Sequence, residues 1–278
     1  MVPIEYLLNF LKEDIPFGDI TTNSIIPDTT CRAVITTEEP AVIAGLEEAG
    51  VLFRYHKINV GTTVVDGSTV RSGDVVLILQ GDARTILTLE RTALNIIGRM
   101  SGIATMTRRY AEKVHNVRPS CRVAATRKTC PGFRILDKKA VQIGGGDPHR
   151  WSLSDSILIK DNHLALVSLK DAIERAKACS SYHIIEVEVA SRDNAVEAVK
   201  AGAHVIMLDN MSPDQVHETV SSLKKEGVRD RVMLEISGGI DEDNILRYAS
   251  EDIDVISIGA LTHSVKNISV HLDIHPQK

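Results

Sequence analysis

The stretch from Arg127 to Lys160 holds seven Lys/Arg against three Asp/Glu, in a chain whose formal net charge is -5. Its cations fall in short polar motifs: Arg127 and Lys128 in "TRKTCPGFR", His149 and Arg150 in "GGGDPHR", Lys160 in "IKDNH". Arginine grips a carboxylate with two parallel hydrogen bonds. Arg127, Arg150 and Lys160, with His149, therefore suit a small di-acid. Further along stand two carboxylates, Glu188 in "EVEV" and Asp209 in "LDN". An ionised carboxylate only accepts, so these two suit sugar hydroxyls or a divalent metal. "SGGI" and "SIGALTHS" then bring Ser237, Gly238, Gly239 and Gly259. Gly-rich loops can turn backbone N–H groups toward a phosphate, although the same glycines would also serve plain tight turns. Phosphate beside hydroxyls or Mg²⁺ points to a sugar phosphate, and the cationic stretch to a second, strongly anionic partner.

These residues need elements that bring them together. After about residue 120, apolar runs of strand length alternate with helical patterns: "RVAAT", "SILIKD", "IIEVEVA", "HVIMLDN", "VMLEISGG" and "DVISIGAL". Regular β–α alternation implies parallel strands with right-handed crossovers. With no G-x-G-x-x-G spacing in "IGGGDP", a closed or nearly closed barrel is expected in place of a dinucleotide-binding sheet. Most of the candidate residues end a strand-like run, and in such barrels the strand ends carry the active site.

The first part of the chain reads differently. Ile4, Leu7, Leu8 and Leu11 mark an amphipathic helix, and "GTTVVDGSTVRSGDVVLILQGD" reads as strand, turn, strand. The latter faintly resembles a lipoyl-carrier half-domain, but "VVDGSTV" has no lysine to modify. From about Ala83 to Val114 the pattern is helical, with a break expected at Ser101–Gly102. Leu87, Arg91, Leu94 and Gly98 fall on one helical face, so Arg91 either snorkels or reaches for an anion. The domain division expected is 1–110 and 111–265, with the tail 266–278 packing back on the first.

At 278 residues, with 43% hydrophobic and 25% charged content, the chain is an ordinary globular protein. It has no apolar run of membrane-spanning length, and its acidic amphipathic start does not read as a signal peptide. A cytoplasmic location is expected, with neither membrane nor nucleic acid as partner. Cys31, Cys121, Cys130 and Cys179 form no C-x-x-C pair and are expected to be free thiols.

In order, "ERTALN", "SGIAT", "TRKTCPGFR", "GGGDPHR", "LIKDNH", "EVEV", "LDN", "SGGI" and "IGALTHS" resemble the quinolinate phosphoribosyltransferase family, and the early "EDIPFGDITT" fits too. The resemblance spans residues 13 to 264. It implies an N-terminal α/β sandwich and a C-terminal incomplete α/β (TIM-like) barrel. It implies transfer of phosphoribosyl from phosphoribosyl pyrophosphate to quinolinate with Mg²⁺, giving nicotinate mononucleotide, pyrophosphate and CO₂ on the de novo route to NAD. It also implies a homodimer or larger homo-oligomer in which the sandwich of one subunit covers the barrel mouth of the other.

Carried over motif by motif, the resemblance assigns quinolinate to Arg127, His149, Arg150 and Lys160, with Arg91 arriving from the partner subunit. Lys128 would face the phosphoribosyl donor. Glu188 and Asp209 would hold ribose hydroxyls or Mg²⁺ and stabilise the reacting ring. Ser237, Gly238, Gly239, Gly259 and His263 would cradle the 5-phosphate. Lys160 or a water would protonate C2 after CO₂ leaves. Ile236 stands where the family has a small residue, and Gln142 and Ile143 also depart from its pattern, which bears on local packing. The rival readings are a paralogue acting on another ring acid, a class I aldolase with Lys160 as Schiff base, and a non-catalytic anion binder.

Overall fold

The computed structural model describes residues 2–276. The chain forms two compact units. One comprises Met1–Arg108, Ile135–Gly145 and Val265–Lys278, the other Arg109–Arg134 and Gly146–Ser264.

In the first unit, α1 (Ile4–Asp14) buries Leu7 and Leu11, the centre of the expected apolar face. The short α2 (Ile20–Ile25) starts where Asp19 accepts a hydrogen bond from Thr22 N. The next elements are β1 (Thr30–Thr37), β2 (Ala41–Val42), α3 (Leu46–Tyr55), β3 (Asn59–Thr62), β4 (Thr69–Val70) and β5 (Val75–Asp82). Cys31, Ala33, Ile35 and Thr37 are buried, the period of two that marks one inward face of β1. Helix α4 (Ala83–Val117) follows, its residues up to Arg108 belonging to this unit. Later in the chain, α5 (Arg134–Ile143) joins this unit from its second residue on, and β12 (Val270–Pro276) closes it. The four-stranded sheet has the order β12-β1-β5-β3, all antiparallel. Helix α3 packs on β3 and β5, and α1 on α3, so helices are layered on a sheet as in the expected sandwich.

Two sequence expectations need correction. The break at Ser101–Gly102 does not exist: α4 runs through without interruption. Gly98 and Gly102 serve close approach instead. A Cβ on Gly98 would come 2.8 Å from Ile268 O, and one on Gly102 would come 2.2 Å from Lys266 O. The returning C-terminal segment lies against this bare helix face, and Ile268 N donates to Gly98 O. Ser101, between the two glycines, donates to Ala44 O and accepts from Ala44 N. The second difference is residues 135–145, read as barrel from the sequence but clustered with the first unit. Their charges find partners there. Buried Asp137 takes two hydrogen bonds from Arg99, and Lys139 bridges Glu47 and Glu48.

The second unit is built on six parallel strands: β6 (Arg122–Ala124), β7 (Ile157–Ile159), β8 (Ile185–Val189), β9 (Val205–Asp209), β10 (Met233–Ser237) and β11 (Val255–Ser257). Their order is β6-β11-β10-β9-β8-β7. This is the cyclic chain order of an α/β barrel, left open between β6 and β7. A single parallel bridge, Ala124 to Asp147, extends the β6 edge at that seam. Helices α6 (Asp161–Leu164), α7 (Leu169–Cys179), α8 (Arg192–Ala201), α9 (Pro213–Lys225), α10 (Ile245–Ala249) and α11 (Ala260–His263) lie on the connections. Ser168, Ser191 and Ser212 cap α7, α8 and α9 by accepting from the amide three residues on. All six strand-like runs of the sequence are strands. Among the described residues, no helix is long and apolar enough to cross a membrane.

Candidate active site

The polar strand ends and the loops beyond them enclose a cavity of about 250 Å³. Arg127 and Lys128 enter from the loop after β6, and His149 and Arg150 from the segment beside it. Lys160, Glu188, Asp209 and Ser237 end or follow β7, β8, β9 and β10. The parallel register pairs Ser237 with Asp209 on one side and with Ser257 on the other. These eight expected site residues therefore share one cavity.

The bridge at the open seam explains why two loops far apart in sequence meet. Asp147 N donates to Val123 O, and Ala125 N donates to Asp147 O. "DPHR" thereby runs alongside "AATRK". Arg134 adds a tie, donating to Thr129 Oγ1 and to Trp151 O. Asp155 accepts from Trp151 N and Ser152 N and fixes the far end of the same loop.

The guanidinium of Arg127 has no hydrogen bond or ion pair among the described residues, and its buried Nε is unpartnered. A buried guanidinium nitrogen without an acceptor is unfavourable and calls for an anion. Arg150 donates to Ser156 O. Its pKa is lowered by burial first and then by the charge of Arg127, with Glu186 and Asp155 opposing. Like charges brought together at a half-buried wall hold latent affinity for a di-anion.

On the facing side, Lys160 Nζ lies 2.5 Å from Glu188 Oε2. Asp209 Oδ2 accepts from Asn210 Nδ2 at 2.7 Å. Each carboxylate keeps its other oxygen outside these bonds. A hard divalent cation fits such a donor set, two carboxylates on adjacent strands with substrate and water oxygens completing the shell.

None of Gly238, Gly239, Gly259 and His263 lines the cavity: the first two follow β10, and Gly259 and His263 stand at the start and end of α11. Gly238 and Gly239 have φ of 93° and 64°, which favour glycine. A Cβ on Gly238 would fall 2.2 Å from Asn210 Oδ1. A Cβ on Gly259 would meet the His263 ring at 3.0 Å and Lys128 Cδ at 3.2 Å, so these three are immediate neighbours. Thr262 Oγ1 donates to Lys128 O at 2.9 Å, tying α11 to the cationic loop. Ile236 is fully buried on the strand face opposite Glu235 and Ser237, away from the cavity. Arg91 belongs to the first unit. It is exposed, with no hydrogen bond or ion pair among the described residues, while Leu94 on the same helical face is buried.

Sequence reading missed the residues beneath the cavity. Glu186 and Glu235 are buried, and His149 Nε2 lies 3.6 Å from Glu186 and 3.4 Å from Glu235. Period-two alternation could have found both, since Glu186 shares a strand face with Glu188 and Glu235 with Ser237. Burial by itself would lower the His149 pKa, and the two carboxylates beside Nε2 pull it upward. Glu186 is raised, by burial first and by Glu235, against the pull of His149. The cluster thus retains protons. Arg150 N donates to His149 Nδ1 at 2.8 Å, which needs a lone pair on that atom. The geometry therefore puts the ring proton on Nε2, between the two carboxylates.

Comparison with known proteins agrees with this architecture. The family model described as "Quinolinate phosphoribosyl transferase, N-terminal domain" matches residues 19–101, and that described as "Quinolinate phosphoribosyl transferase, C-terminal domain" matches residues 103–273. The chain is 46% identical to a probable nicotinate-nucleotide pyrophosphorylase [carboxylating] of Methanocaldococcus jannaschii, over 97% of this chain and 98% of the relative. It is 38% identical to the nicotinate-nucleotide pyrophosphorylase [carboxylating] of Mycobacterium leprae, over 95% and 94%. Among solved structures, NadC from Streptococcus pyogenes superposes with a TM-score of 0.92 at 36% identity, covering 100% of this chain and 99% of that one. With both domains matched and the strand-end cavity in place, the chain belongs to the quinolinate phosphoribosyltransferase family.

Proposed function

We infer that the strand-end cavity carries out the family's reaction. Phosphoribosyl is transferred from phosphoribosyl pyrophosphate to quinolinate with decarboxylation, giving nicotinate mononucleotide, pyrophosphate and CO₂ for NAD synthesis. The observation that carries this reading is the pair of guanidiniums, Arg127 and Arg150, at one wall, with Lys160, Glu188 and Asp209 facing them.

Arg127 and Arg150 hold the two ring carboxylates and set the pyridine nitrogen toward C1 of the ribose. Binding supplies proximity and alignment, so no protein nucleophile is required. Glu188 and Asp209 accept from ribose hydroxyls and stabilise positive charge on the ring as pyrophosphate departs. Lys128, whose ammonium has no ion-pair partner among the described residues, offsets charge on the departing pyrophosphate. Ser237 and the amides of the loops holding Gly238, Gly239 and Gly259, with His263 beside them, receive the 5-phosphate. Mg²⁺, held by Glu188 and Asp209, would neutralise pyrophosphate charge. After transfer the C2 carboxylate leaves as CO₂, and the bonding pair stays on C2, stabilised by the adjacent cationic ring nitrogen. Lys160 or a water returns a proton to C2.

The site is completed in a homodimer or larger homo-oligomer, where the exposed Arg91 of one subunit serves the barrel mouth of its partner. This rests on the family resemblance together with an exposed arginine that has no hydrogen bond or ion pair among the described residues. The aldolase reading is disfavoured by the bond between Lys160 and Glu188, since a Schiff-base lysine attacks with a free amine.

Incubation with quinolinate, phosphoribosyl pyrophosphate and Mg²⁺ should release CO₂ and pyrophosphate in equal amounts, and chelation should stop it. Nicotinate, lacking the second carboxylate, should be a poor substrate. Use of nicotinate as readily as quinolinate would sink the assignment.

A further inference from the structure

His149 sits in an unusual place for a non-glycine residue. Its φ is 54°, the left-handed region that most side chains avoid. Three contacts hold it there. His149 N donates to Asp147 Oδ1 at 2.7 Å. His149 Nδ1 accepts from Arg150 N at 2.8 Å. Nε2, which must then carry the ring proton, faces Glu235 Oε2 at 3.4 Å and Glu186 Oε2 at 3.6 Å. Both ring nitrogens are thus engaged by the protein itself. An Nε2–H between two carboxylates is also not a metal ligand, although His149, Glu186 and Glu235 have the types and spacing of one.

The two carboxylates are nearly inaccessible, with side-chain exposures of 5% for Glu186 and 3% for Glu235. Each keeps one buried oxygen, Oε1, without a hydrogen-bond partner. Burying carboxylates this way is unfavourable. A buried polar group left partly unsatisfied is more often found at a functional site than in a structural core.

We propose that Glu186 and Glu235 are positioning residues: they clamp the Nε2–H of His149, and the fixed ring holds the Arg150 amide, so that the Arg150 guanidinium is aimed beside Arg127 before the di-acid arrives. Glu186 acts twice in this arrangement, since its charge also reaches Arg150. The inference rests on the reading of this wall as the dicarboxylate site and adds the residues that build it.

Glu186→Gln and Glu235→Gln keep the volume and remove the negative charge that holds the ring. In each, the KM for quinolinate should rise about tenfold or more while that for phosphoribosyl pyrophosphate stays within about twofold, the signature of lost positioning at one substrate only. A structural defect would move both. Glu235→Asp keeps the charge but withdraws the carboxylate by one methylene, and should give a smaller rise of about threefold. It also serves should a Gln variant fail to fold. The chain has one tryptophan, Trp151, next to Arg150. Its acrylamide quenching in the substrate-free protein should increase in all three variants as the turn loosens. That measurement needs no substrate. If the wild type ignores quinolinate, the di-acid reading fails while the quenching still judges the clamp. The clamp is overturned if folded variants keep both KM values within about twofold, if both KM values rise together, or if Trp151 quenching is unchanged.

Discussion

Lys160 Nζ lies 2.5 Å from Glu188 Oε2, across the ends of two neighbouring parallel strands. The register sets this pair, since Ile159, just before Lys160, is aligned with Val187, just before Glu188. Each neutralises the other, and bound substrates must share or part them. The two should therefore be energetically coupled. Lys160→Ala and Glu188→Ala should each lower kcat/KM by about 10²-fold or more. The double variant should be less impaired than the product of the two, by about 1 to 3 kcal/mol. Steady-state kinetics on the four proteins gives the coupling directly, and strict additivity would show the pair to be incidental.

Arg127→Ala or Arg150→Ala leaves one ring carboxylate without its partner in a partly dry site. The expected loss is about 2 to 5 kcal/mol, roughly 30- to several-thousand-fold in kcat/KM for quinolinate. Replacement by Lys should not fully restore activity, because a point charge cannot make the two-pronged contact. Less than a threefold change for both Ala variants would remove these residues from the di-acid grip.

Arg91→Ala and Lys128→Ala homo-oligomers should each be nearly inactive. Unfolded together in equal amounts and refolded, about half of randomly assembled dimers are mixed. If Arg91 serves the partner's barrel, one site in each mixed dimer has both side chains, and activity returns to about one quarter of wild type. If Arg91 serves its own chain, every site carries a lesion and the refolded mixture stays inactive.

Gly102→Ala puts a methyl group 2.2 Å from Lys266 O, a backbone atom that cannot swing aside. It should destabilise the protein by about 1 to 3 kcal/mol, read as a lower urea midpoint. Gly73→Ala is the contrast. Nothing lies within 4 Å of its added Cβ, so any effect there comes from its φ of 87°. An unchanged midpoint for Gly102→Ala would mean that the returning segment does not seat on α4.

The sequence alone determined a good deal. The β–α alternation after residue 120 predicts the six parallel strands, because buried parallel strands need apolar runs and crossover helices need a 3.6-residue period. Strand ends carrying Lys160, Glu188, Asp209 and Ser237 were legible as a site for the same reason, since parallel strands bring like ends to one face. Tertiary structure decided what no local pattern encodes. Ser101–Gly102 looks like a helix break until the C-terminal segment lies down against Gly102, a contact between residues far apart in sequence. The division at 110 places residues 135–145 with the barrel, and only their pairing with Arg99, Glu47 and Glu48 shows where they pack. Glu186 and Glu235 read as ordinary strand carboxylates until His149, on a different loop, is found between them. Periodicity fixes which face a side chain occupies, but the partner across that face is set by chain topology and packing.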